Sequence, residues 1–124
     1  MNKVVHFELP FDNKERAKKF YSETFGWKIN EMPEIGYIGA DTAPSDEKGM
    51  PNEPGAINGG MVQRTADQPA PVIVISVDSI DEMVKKIETA GGTMVGEKGE
   101  VPHMGYYAYL KDTEGNVIGL WENI

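Results

Sequence analysis

The chain repeats itself once, and that repeat limits the folds open to it. Asp78 stands 66 residues after Asp12, and Gly92 stands 66 residues after Gly26. Each pair brackets a segment with apolar residues at helical spacing, and each segment follows an apolar run of strand length.

In the first copy Val5, Phe7 and Leu9 fall on one face of a strand, while Val4, His6 and Glu8 fall on the other. Asp12 with Glu15 three residues on predicts an N-cap and capping box. Ala17, Phe20, Tyr21 and Phe25 then form one apolar stripe that stops at Gly26, so the spacing predicts a helix over 13–25. That stripe is expected to cover Val5, Phe7 and Leu9, leaving His6 and Glu8 uncovered. In the second copy residues 72–77 read as a strand, and Ser79 with Glu82 as a capping box. Ile80, Met83, Val84 and Ile87 give the stripe, and Ala90, Gly91 and Gly92 close the helix.

Three further strands follow each helix, over 27–32, 36–40 and 56–63 and over 93–97, 106–110 and 117–122. The segment 55–61 (GAINGGM) matches 115–121 (GNVIGLW) at an offset of 60, which sets Gly59 against Gly119. Residues 42–55 (TAPSDEKGMPNEPG), rich in Pro, Gly and charge, predict a long exposed loop, a candidate lid for a nearby binding face. The expected organisation is one domain of two modules, 1–64 and 71–124, joined by a polar linker over 65–70.

A strand-helix-three-strand module of roughly 60 residues cannot close a core alone, because the face its helix leaves bare stays open. Pairing the modules predicts an α+β fold: two βαβββ units forming one cupped, eight-stranded mixed sheet, with helices outside and a cleft inside. Parity puts His6, Glu8, Gly59, Met61, Val72, Val74, Gly119 and Trp121 on the inner face.

The net charge of -8 argues against a nucleic-acid backbone or an anionic membrane surface as partner. The absence of cysteine excludes disulfides and thiolate metal sites. No apolar run approaches the ~18 residues of a membrane span, and the N-terminus lacks a signal-peptide core, so the cytoplasm is the expected location.

With HFELPFDNKERAKKFYSETFGW in the first module and DTEGNVIGLWE ending the second, the chain resembles the vicinal oxygen chelate superfamily of glyoxalase I, extradiol dioxygenases and bleomycin-resistance proteins. Its small glyoxalase/bleomycin-resistance-like members are the most similar. The resemblance implies a homodimer and, in metal-dependent members, ligands on the first and last strand of each module: here His6, Gly59, Val72 and Gly119. Only His6 of these can coordinate, and a divalent ion takes three or four N or O ligands. Glu8, His103 and Glu122 are the other candidate donors, Glu8 lying about 6.6 Å along the strand from His6.

Two functional readings remain. One is a metal-independent, cofactor-free protein that binds a small, partly apolar molecule through His6 and Glu8, with Trp27, Met61, His103, Tyr106 and Trp121 around it. The other is a glyoxalase-like lyase or isomerase, or a dioxygenase, holding a divalent metal ion on His6 with substitute ligands. His6 and Glu8 answer to Val72 and Val74 in the repeat, so the inner face is polar in one copy and apolar in the other, which suits a ligand with one polar end. Each residue also has a plainer reading: His6 and Glu8 as a hydrogen-bonded pair, His103 as a loop residue, the aromatics and Met61 as packing, and Gly59-Gly60 as a bulge.

Overall fold

A computed structural model describes residues 1–124 as eight strands and two α-helices, an α+β fold. Contacts divide the chain into one unit of His6–Pro71 and another of Met1–Val5 with Val72–Ile124. No helix is long and apolar enough to cross a membrane.

The His6–Pro71 unit holds most of β1 (Val4–Phe11), then α1 (Lys14–Phe25), β2 (Lys28–Met32), β3 (Tyr37–Asp41) and β4 (Gly59–Gln63). β1 runs parallel to β4, and β2-β3 and β3-β4 are antiparallel. The helix is capped one residue later than the sequence predicts: Asn13 is extended and its Oδ1 accepts from the Arg16 N–H at 2.9 Å. Asp12 is drawn instead to Arg64, 2.9 Å away. At the other end Gly26 takes the left-handed conformation that the turn needs, φ 73°.

Coverage by α1 is partial. No α1 residue is fully buried, and Phe20 and Phe25 remain 53% and 59% exposed. Tyr21 stacks on Trp27 at 4.9 Å, and Trp27 packs against Phe7 at 5.6 Å, so these two rings carry the contact between helix and sheet. The buried core on this side is Ile38, Ala40 and Met61.

Register corrects the expected inner face. Phe7 pairs with Gly59, Glu8 with Gly60 and Leu9 with Met61. Partners in a ladder share a face, so Gly59 and Met61 lie with Phe7 and Leu9 on the α1 side, and it is Gly60 that lies with His6 and Glu8. In the other unit Val74 pairs with Gly119. Glu8 and Val74 are 66 residues apart while Gly60 and Gly119 are 59 apart, so the offset of 60 misses by one. The ladder passes the glycine pair without a register shift, so no bulge lies there.

Loop 42–58 is built around Asn58, a buried polar residue. Its Oδ1 accepts from the Thr42 N–H at 2.9 Å, and its Nδ2 donates to Ser45 Oγ at 2.7 Å and to the Gly49 carbonyl at 3.0 Å. Thr42 Oγ1 donates to the Ile57 carbonyl, closing the loop at its base.

The other unit contains β5 (Val72–Ser76), α2 (Ile80–Thr89), β6 (Thr93–Val101), β7 (Gly105–Lys111) and β8 (Val117–Asn123). β5 and β8 are parallel, and β6-β7 and β7-β8 antiparallel. Ser79 caps α2 as predicted, its Oγ accepting from the Glu82 N–H. Val77, Ile80, Ala108, Leu110 and Leu120 form the core against α2, with Met83, Val84 and Ile87 from the helix. β6 runs four residues past the predicted end, with a register irregularity between Val95 and Gly99 that accommodates the extra length.

Candidate functional site

His6, Glu8 and Tyr37 lie together on the sheet face away from α1. Gly60 and Gly39 are ladder partners there, flanked by Tyr37 on β3 and by His6 and Glu8 on β1. His6 Nε2 lies 2.7 Å from the Tyr37 hydroxyl, and the two rings are nearly parallel. That approach needs glycine at position 60, because a Cβ there would fall 2.0 Å from the Tyr37 oxygen. The glycine pair thus serves two rings on opposite faces: Phe7 occupies the equivalent space over Gly59, with a closest approach of 2.4 Å to a built Cβ.

Burial lowers the His6 pKa from its usual 6.5, and the neighbouring Glu8 carboxylate only partly opposes the shift, so the imidazole is neutral at pH 7. A neutral ring has one N–H and one lone pair; it accepts from the Tyr37 hydroxyl in one tautomer and donates to it in the other. Glu8 is 5% exposed and accepts from the Gln68 side-chain amide at 2.7 Å. Gln68 reaches it from a turn in which its own N–H bonds to Thr65. The segment expected to be a passive linker therefore supplies a partner to the site. No buried side-chain N or O is left without a partner.

Of the residues expected around His6 and Glu8, Trp27 and Met61 belong to the α1 side, with Phe7 and Leu9. Three others lie in the other unit. Tyr106 packs on the α2 cluster, with Lys98 Nζ 4.9 Å from its ring centre, so it too faces a helix. On the same strand Tyr107 and Tyr109 point to the opposite face, paired on β8 with Trp121 and Gly119 respectively. Trp121 lies away from α2, as parity expects, and its indole N–H donates to Asn123 Oδ1 at 2.7 Å. His103 is exposed in the β6–β7 turn with φ 67°.

The residues present do not fit a metal. No three His, Asp or Glu side chains gather into a group able to hold an ion. His6 Nε2 is engaged by Tyr37, and Glu122, a candidate substitute ligand, accepts from the Ile80 N–H at 3.2 Å at the start of α2. What the arrangement offers is a neutral imidazole–phenol pair and a buried carboxylate held by an amide. These can orient and hydrogen-bond a polar group.

Residues 3–42 match the family described as bleomycin resistance protein-like N-terminal. A glyoxylase-like domain-containing protein from Didymella fabae is 33% identical over 121 residues, covering 91% of this chain and 88% of that one. Putative glyoxylase CFP32 of Mycobacterium tuberculosis is 27% identical over 124 residues, 93% of this chain but 43% of its own length. Among solved structures, a variant of Streptomyces coelicolor methylmalonyl-CoA epimerase in complex with 2-nitronate-propionyl-CoA superposes with a TM-score of 0.65 at 16% identity, over 99% of this chain and 98% of that one.

Proposed function

Because the chain belongs to the vicinal oxygen chelate superfamily, in its glyoxalase and bleomycin-resistance-like group, we propose that it binds a small, partly apolar molecule without a metal. The polar end of the ligand hydrogen-bonds to His6 and Tyr37 on the sheet face away from α1, and Glu8 with Gln68 holds the adjoining position. The observation that carries this reading is the 2.7 Å contact between His6 and Tyr37, which commits the one side chain able to coordinate at the superfamily's ligand positions to a hydrogen bond. A thermal-shift screen of small aromatic and amphipathic compounds is expected to yield a stabiliser whose effect survives EDTA. His6→Ala and Glu8→Ala should fold and lose the response; unfolded variants, or a response kept in both, sink the reading.

Relatives named as glyoxylase-like or putative glyoxylase favour a second reading, a lyase or isomerase that recruits a divalent ion to His6 by displacing Tyr37. Elemental analysis of protein purified without chelator decides between them: a stoichiometric transition metal selects the second. The protein is further proposed to be a cytoplasmic homodimer, since β2 is paired on one side by β3 and β6 on one side by β7, and a second copy can cover the edge each leaves. A light-scattering mass near 13.7 kDa at micromolar concentration overturns the dimer, and recovery in a secreted or membrane fraction overturns the location.

A further inference from the structure

The His6–Pro71 unit contains a cavity of about 330 Å³ beside the first turn of α1, lined by Phe11, Lys14, Glu31, Pro33, Ile38 and Gln63 among others. Its volume is at the lower end of the range for small-molecule sites. Phe11, Ile38 and Gln63 carry the parity of the α1 side and neither His6 nor Glu8 lines the cavity, but its wall includes Tyr37, whose hydroxyl lies 2.7 Å from His6 Nε2.

The charges at its mouth are unevenly matched. Glu31 is held by Lys18 at 2.5 Å, and that contact is the main reason its pKa is lowered. Lys14 reaches the same carboxylate oxygen only at 3.8 Å, with about half of its side chain exposed. An exposed ion pair of that length contributes next to nothing, so an incoming anion displaces it at little cost. Lys14 is also the first residue of α1, where the positive end of the helix dipole favours negative charge. Glu31, already facing two lysines, has no comparable vacancy for a cation.

We propose that this cavity binds a small carboxylate with an apolar or aromatic body, the carboxylate resting on Lys14 and the body against Phe11, Pro33 and Ile38. The site shares Tyr37 as a wall with the ligand face described above, but its charge contact is Lys14 and it uses neither His6 nor Glu8. Phenylacetate has the required size and charge, and phenylacetamide and phenethylamine are its neutral and cationic counterparts.

Titration of the full chain with phenylacetate, followed by amide NMR, tests the proposal. Shifts should concentrate at residues 11–14, 31–38 and 63. Lys14→Gln should weaken binding about tenfold, as loss of a charge-assisted contact does. Glu31→Gln should tighten it severalfold by removing the competing carboxylate; a purely apolar cavity would show neither change. Equal binding of phenylacetamide, preferential binding of phenethylamine, or shifts centred elsewhere overturns the assignment.

Discussion

The ring of Tyr37 lies in the space that a side chain on Gly60 would fill, and that is how the phenol crosses β4 to reach His6. The built Cβ comes within 2.0 Å of the hydroxyl and 2.2 Å of the ring carbon that bears it. A glycine pair that reads as a bulge is instead room for the protein's own aromatic residues, Phe7 on one face and Tyr37 on the other.

Gly60→Ala should therefore destabilise the protein by about 1–3 kcal/mol, the usual range for forcing a group into filled space, and separate Tyr37 from His6. Combining it with Tyr37→Ala should cost less than the sum of the two single changes, because the second removes the ring that the first strikes. Additive losses in urea melts would mean that the clash is relieved some other way.

The depressed pKa of His6 sets a pH dependence whose sign is fixed. The unfolded chain binds a proton on this imidazole at higher pH than the folded one, so the associated stability is fully present above about pH 6.5. It is lost as pH falls through and below that value, and the loss levels off beneath the folded pKa. His6→Gln should flatten this part of the profile. If melting midpoints between pH 7.5 and 5 run parallel for the two proteins, His6 is not kept neutral by burial.

Two adjacent residues distinguish the true cap of α1. Asn13→Ala removes the oxygen that accepts the Arg16 N–H and should cost about 1 kcal/mol. Asp12→Ala loses an exposed contact with Arg64 and should stay within about 0.5 kcal/mol. The reverse ranking in thermal melts would place the cap at Asp12.

Much of this architecture was legible because it rests on local pattern. The repeat, both helices, every strand and the Ser79 cap follow from periodicity and capping chemistry. Facing was lost where one residue of slip was invisible: either member of Gly59-Gly60 can be matched to Gly119, and with a side-chain period of two the wrong choice turns Met61 to the other face. Tyr106 and Tyr107 pose the same problem, since two adjacent tyrosines on one strand give no clue to which is inward. Tyr37 and Gln68 carried no local signal at all. They meet His6 and Glu8 from 31 and 60 residues away, which register and tertiary contact determine.

Asn58 makes the strongest case that loop 42–58 is a built structure rather than a free lid. One side-chain amide serves three points of the loop, accepting from Thr42 and donating to Ser45 and Gly49, and it does so while buried. Asn58→Ala removes three part-buried hydrogen bonds, to Thr42, Ser45 and Gly49, each contributing about 0.5–1.5 kcal/mol. Asn58→Asp should be worse: the new carboxylate keeps the Thr42 contact but turns an acceptor toward the Gly49 carbonyl, with a charge out of water. Both variants should open the loop before the sheet, so limited proteolysis should cut within 43–57 at a protease dose that leaves the wild type whole. Equal resistance of the three proteins would mean that Thr42 Oγ1 on the Ile57 carbonyl, together with the Ser45–Pro51 bridge, holds the loop without Asn58.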